Sequence, residues 1–206
     1  MTLEHPGALA GRLVTLEPLR LEHLEGLSAA ALDGEIWRNP YTNIPAPEGM
    51  EAEIERRLEL QRQGSMIPFT ARRTDTGSVI GMTTFMNIDA AAPRVEIGST
   101  WNGASAHGSG TNAESKLLLL TQAFDVWGCL AVEFRTDFLN HQSRAAIARL
   151  GAHQDGVLRA HMRRPGYVRD TVVFSITEHD WPGVRLGLEH RVARRLPVPG
   201  GAPRLG

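Results

Sequence analysis

The sequence predicts a single α+β domain, an α/β three-layer arrangement of a mixed, mostly antiparallel sheet with helices on both faces. Three observations predict it. Short strands with alternating polarity recur along the chain, helical stretches are interspersed among them, and one strand runs through a glycine-rich loop directly into a helix. Neither an internal repeat nor a linker-like stretch divides the chain, so one domain is expected over residues 12–181, with a partly disordered tail over 182–206.

The elements follow in order. Arg12 to Leu19 alternates and ends at Pro18, which reads as a strand. Leu21, Leu24, Leu27 and Ala31 recur at helical spacing. Asp33 to Gly49 is rich in Pro, Asn and Gly and reads as a loop carrying Trp37 and Tyr41. Glu51 to Gln63 is a charged helix with Ile54, Leu58 and Leu60 on its apolar side and Gly64 as its stop. Met66 to Arg72 and Val79 to Ile88 form a strand pair around Thr74 to Gly77. Arg94 to Trp101 is the next strand, followed by the glycine-rich loop over 102–110. The helix that opens there carries Thr111-Asn-Ala-Glu114, a capping-box pattern. Its core face is Leu117, Leu120, Phe124 and Trp127, and Gly128 ends it. Leu130 to Thr136 is a strand, and Phe138 to Ser143 leads into a short helix stopped by Gly151. Val157 to Arg163 and Val168 to Thr177 close the fold as a hairpin, and little order is expected past about Val192.

Composition narrows the function classes. Lys and Arg number 22 against 23 Asp and Glu, so no overall basic field exists to drive nucleic-acid binding. Cys129 is the only cysteine, which excludes an intrachain disulfide. The first twelve residues lack a charged segment leading into an apolar one, and no apolar run approaches a membrane span. A cytoplasmic protein with no membrane partner is expected. The histidines show no pair at ligand spacing with a carboxylate, so no metal is expected.

Chemistry concentrates at the loop before Thr111. Backbone N–H groups at a helix start point outward, and the helix dipole adds roughly half a positive charge there, which suits an anion. Gly108 and Gly110 allow close approach of a phosphate. Two other loop types fail on a missing residue. Gly103 to Ser109 approximates a P-loop but lacks its lysine, and His107-Gly-Ser-Gly110 has no Gly-x-Ser-x-Gly elbow elsewhere to serve.

His107-Gly-Ser-Gly-Thr-Asn112 resembles the pyrophosphate loop of the GNAT acyltransferases, (Gln/Arg)-x-x-Gly-x-(Gly/Ala). Asn140-x-x-Ser143, with Arg144 to Gly151 after it, resembles the family's later Asn-containing loop and short helix. Gly11 to Leu19, Val79-Ile-Gly81 and Val95-Glu-Ile-Gly98 are similar to the first, third and fourth strands of the RimJ/RimL-type branch. The match is collinear from about Arg12 to Trp181. It departs at His107 and Asn112 and lacks the usual proline after Trp101, while backbone N–H groups make most phosphate contacts in such folds.

The resemblance implies an N-acetyltransferase that uses acetyl-CoA and a primary amine, either a protein N-terminus or a small molecule, with a homodimer allowed. His107, Gly108, Ser109, Gly110, Thr111 and Asn112 would hold the diphosphate, and Ser99, Thr100 and Trp101 would pair with the pantetheine arm. Asn140 would hold that arm or simply make a turn, and Arg144 would meet the 3′-phosphate. Glu96 is the first candidate for the base that deprotonates the amine, against a plain solvent-facing strand residue; Glu133 is the second. Ser143 is assigned to protonate the thiolate, against a helix-capping role. Trp37 and Tyr41 would shape the acceptor pocket, and Lys116 is expected in solvent. The alternatives are a non-catalytic acyl-CoA-binding or regulatory protein, use of another acyl-CoA, or an interaction protein that keeps only the fold.

Overall fold

The structure is a computed structural model that describes residues 3–196. Among the described residues, eight strands form one sheet: β1 (Leu9–Ala10), β2 (Val14–Pro18), β3 (Met66–Arg73), β4 (Val79–Asp89), β5 (Arg94–Asn102), β6 (Ala131–Asp137), β7 (His153–Arg164) and β8 (Tyr167–Thr177). Their order is β1-β2-β3-β4-β5-β6-β8-β7, and only β5 and β6 run parallel. The mixed, mostly antiparallel sheet is therefore as expected.

Two helices, α1 (Leu24–Leu32) and α2 (Met50–Arg62), cover one face. They bury Leu27, Ala31, Met50 and Ile54 against Leu19, Met82 and Trp101. The other face packs against α3 (Thr111–Thr121), α4 (His141–Ala148) and α5 (Trp181–Ala193). There Phe85 meets Trp127 with centroids 4.7 Å apart, and Phe124 stacks on Trp181 at 5.4 Å. Each of these side chains removes a large apolar area from water, about 1.5–3 kcal/mol apiece.

The helix α5 corrects the domain boundary. Trp181, Val184, Leu188 and Val192 recur at spacings of three, four and four, and all four are buried. That stripe offsets the Arg- and Gly-rich composition that suggested a tail. The part of the expected tail beyond residue 196 lies outside the described residues.

The start of α3 also differs from expectation. Gly110, with φ of 95°, is the N-cap, and no side chain caps the helix. Glu114 turns to the chain's beginning instead, accepting from the backbone N–H groups of Arg12 (2.9 Å), Leu13 (2.6 Å) and Val14 (2.9 Å). A buried carboxylate needs such donors, and these three tie β2 to α3. Past Thr121 the helix continues as a π-type turn over Gln122–Val126, before Gly128 reverses the chain at φ of 62°.

Candidate active site

The central feature of the site is a failure of pairing. β5 and β6 are in register only at Arg94↔Ala131, Val95↔Val132 and Glu96↔Glu133. Beyond Glu96 they diverge, although β5 continues to Asn102 and β6 to Asp137. A bulge drives β5 away. Gly98 to Trp101 on β5 oppose only Thr84 to Met82 on β4, and Ser99 adopts a left-handed φ of 48°. The divergence opens a cleft of about 2180 Å³ that runs from the loop at His107–Asn112 to the β7–β8 hairpin.

Glu96 stands at the apex of the opening and lines the cleft, with only 6% of its surface exposed. It is not a solvent-facing residue. Gly98, two positions on, leaves the room its carboxylate needs, since a Cβ there would lie 2.8 Å from Glu96 Oε1. Asn87, also left-handed at φ of 48°, donates its amide to Glu96 Oε2 at 2.6 Å. A non-glycine residue in that region is strained by about 1–3 kcal/mol, and Asn87 holds that conformation beside the carboxylate. Burial pushes the Glu96 pKa up, opposed by the Asn87 hydrogen bond and by Arg135, 3.6 Å away. Glu133 is differently placed. Burial raises its pKa, but hydrogen bonds from Arg135 (2.9 Å) and Arg94 (2.8 Å) outweigh it, hold the carboxyl low and occupy both its oxygens.

Two buried cations grip the bulge from opposite faces. Thr83 and Thr84 are adjacent on β4 and so point to opposite sides of the sheet. On the α2 side, Arg57 is 2% exposed; its Nη1 donates to Thr84 Oγ1 at 2.7 Å and reaches the Ser99 carbonyl at 3.4 Å. Glu53 balances its charge at 2.7 Å. On the α3 side, Lys116 Nζ donates to Thr100 Oγ1 at 2.8 Å and Thr83 Oγ1 at 3.2 Å. Lys116 is 5% exposed, not solvated as expected, and burial without a carboxylate partner lowers its pKa to about 7. Both residues lie on the buried stripes of their helices, Arg57 in step with Met50 and Ile54, and Lys116 with Leu119, Leu120 and Ala123. That spacing was the available signal.

At the other end of the cleft, the backbone N–H groups of Gly108, Gly110, Asn112 and Ala113 find no hydrogen-bond partner among the described residues. All four residues line the cleft. Unpartnered donors at a helix mouth fit a diphosphate. Arg194 and Arg195 also line the cleft there, and a Cβ on Gly110 would lie 2.8 Å from Arg195 Cγ. These arginines fall in the segment expected to be a tail.

Of the other expected residues, Ser99, Thr100, Trp101, His107, Asn140, Ser143 and Tyr41 line the cleft. Asn140 is the cap of α4: its Oδ1 accepts from Ser143 N at 3.0 Å. Ser143 is thereby relieved of the capping role and presents itself to the cleft. Four residues are not brought there. Ser109 Oγ donates to Ala106 O at 2.6 Å and pairs with Thr111 Oγ1 at 2.8 Å, so both shape the loop from behind. Arg144 lies over the Phe138 ring at 4.7 Å and donates to Phe138 O at 3.1 Å. Trp37 is covered by Arg38, 4.7 Å from its ring, and is not among the residues that line the cleft.

A splayed parallel pair and a helix mouth with free amides, with a buried carboxylate between them, make up the site. The family model described as the acetyltransferase (GNAT) domain matches residues 13–153, more than half of the chain, and the protein belongs to that family. It is accordingly an acetyl-transferring enzyme of a family that uses acetyl-CoA, with RimJ/RimL-type relatives. It is similar to a putative acetyltransferase from T. thermophilus, 33% identical, with a TM-score of 0.81 over 92% of this chain and 98% of that one. The [ribosomal protein uS5]-alanine N-acetyltransferase of Escherichia coli is 26% identical over 145 residues, 66% of this chain and 71% of the relative. Mycobacterium smegmatis RimJ, solved in complex with CoA-disulfide, shares the fold at 23% identity and a TM-score of 0.72, over 91% of each chain. No helix among the described residues is long and apolar enough to cross a membrane.

Proposed function

We propose that the protein transfers the acetyl group of acetyl-CoA to a primary amine, either a protein N-terminus or a small molecule, by direct attack on the thioester. The observation that carries this reading is the opening between β5 and β6 with Glu96 at its apex. The free strand edge of β5 at Ser99–Trp101 offers backbone groups to the amides of the pantetheine arm, and the loop at Gly108–Ala113 offers N–H groups to the diphosphate. The acceptor arrives as an ammonium with a pKa of about 10 in water and must lose a proton before it attacks. Glu96, held above the usual carboxylate range by burial, takes that proton. The nitrogen then forms its bond to the acetyl carbon and gives up its second proton to solvent, and the carbon–sulfur bond breaks. Backbone N–H groups of the bulge stabilise the oxyanion, and Ser143 donates a proton to the departing thiolate and recovers one from solvent. The ribosomal protein named for the Escherichia coli relative supports a peptide acceptor and a cytoplasmic setting.

A thiol-release assay with acetyl-CoA and a panel of amines and N-terminal peptides tests this. Release that depends on the acceptor, and falls at least about 100-fold in Glu96→Gln, is the expected result. CoA binding without turnover of any amine would instead make the protein a non-catalytic acyl-CoA binder.

A further inference from the structure

Two arginines at the hairpin end of the cleft have a single carboxylate, Asp137, within 4 Å of either of them among the described residues. Arg164 and Arg169 sit on either side of the β7–β8 turn, and both line the cleft. The Nε of each is buried and makes no hydrogen bond. Arg164 Nη1 is hydrogen-bonded to Asn43 Oδ1, a neutral partner. The carboxylate nearest Arg169 is Asp137, 3.8 Å from its Nε and too far for a hydrogen bond. Asp137 is already engaged, its Oδ2 accepting from the Tyr167 hydroxyl at 2.6 Å and its Oδ1 from Leu139 N at 2.9 Å. The two arginines also stand close to each other: burial and then the charge of Arg164 lower the Arg169 pKa, opposed by Asp137, Tyr167 and Glu96. Two like charges that face one cavity and share one carboxylate leave a net positive charge there that an incoming anion would meet.

The phosphates of the acyl donor do not account for this pair, because the free amides that fit a diphosphate lie at the opposite end of the cleft. Glu96 is different: it is near enough to Arg169 for that charge to draw its pKa down. The arginines therefore flank the place where the acceptor amine must stand.

We infer that the acceptor is a carboxylate-bearing amine, its carboxylate bound between Arg164 and Arg169 while its amine faces Glu96. The carboxylate is that of a small amino acid or an Asp or Glu side chain close behind a peptide N-terminus. This inference rests on the acetyltransferase reading and names the substrate class of the same site. Each guanidinium offers a planar fork that matches a carboxylate.

The test compares matched acceptors in the thiol-release assay. One pair is a peptide that begins Ala-Asp-Glu and its Ala-Asn-Gln counterpart; the other is free glutamate and its fully amidated form. The expected result is a kcat/KM at least about tenfold higher for the acidic member of one pair, shrinking at high salt. The pair that shows it identifies the source of the carboxylate. Arg169→Gln and Arg164→Gln should each collapse that ratio toward one, and Arg169→Lys should restore part of it. A ratio near one in the native chain, or one that survives the double glutamine variant, overturns the inference even if acetyl transfer itself is robust. If no amine is turned over, calorimetric binding of the same pairs to the CoA-loaded protein decides the charge preference without catalysis.

Discussion

Replacing Lys116 with Met should make the protein more stable near neutral pH, against the usual outcome for a core substitution. Lys116 is buried with two hydroxyls for company and no carboxylate, so its pKa falls from 10.5 to about 7. Between those values the unfolded chain binds the proton that the folded chain rejects, so stability rises with pH across that window. At about 1.36 kcal/mol per pH unit, the whole fall corresponds to roughly 5 kcal/mol of destabilisation below pH 7. Between pH 6.5 and 9 the native chain should recover about 2–3 kcal/mol relative to Lys116→Met. Removing the amine strands no hydroxyl, because Thr83 and Thr100 already bond each other at 2.8 Å. The assay is urea or thermal unfolding of both proteins over that pH range. Their difference isolates Lys116 from the other titrating groups, and in a chain of this size it should appear as about 5–10 °C in Tm. Parallel curves for the two proteins would refute the reasoning.

Three further predictions concern the other supports of the site. In Glu96→Gln the acid limb of the kcat/KM profile should disappear, since the native base loses activity as pH falls through its raised pKa; a limb that persists at the same pH would assign it elsewhere. Glu114→Gln replaces an acceptor of three backbone N–H groups with an amide that opposes them, and equilibrium unfolding should show a loss of about 3 kcal/mol. Gly110→Val places a branched side chain at φ of 95° against Arg195 and Leu13, and calorimetry should show CoA binding weakened by about tenfold or more with the fold retained.

The fold was legible wherever local pattern and tertiary role coincide. Alternation marked β2, turn residues marked the β3–β4 pair and the closing hairpin, and the glycines at 108 and 110 marked the entry to α3. Glu96 was legible because its place on β5 follows from that strand's own alternation. Part of what escaped depends on residues far apart in sequence. Thr111 to Glu114 carries a local capping pattern, yet the carboxylate serves N–H groups about 100 positions earlier. Arg57 and Lys116 occupy buried stripes, but a reading that sends charge to solvent skips them, and only the bulge they share explains their burial. Arg164 and Arg169 flank a hairpin turn that the sequence does reveal, but their place on the cleft depends on where that hairpin sits in the fold. The helix α5 was hidden by composition, although its four buried residues keep helical spacing throughout. Arg144 and Trp37 were drawn away by nearer partners, an aromatic ring and a neighbouring guanidinium.

A crystal structure of the chain with CoA weighs most directly on all of this. Diphosphate oxygens are expected on the N–H groups of Gly108, Gly110, Asn112 and Ala113, with the thiol between the diverging strands near Glu96. CoA bound on any other surface, or β5 and β6 paired along their full length, would contradict that placement and the transfer chemistry built on it.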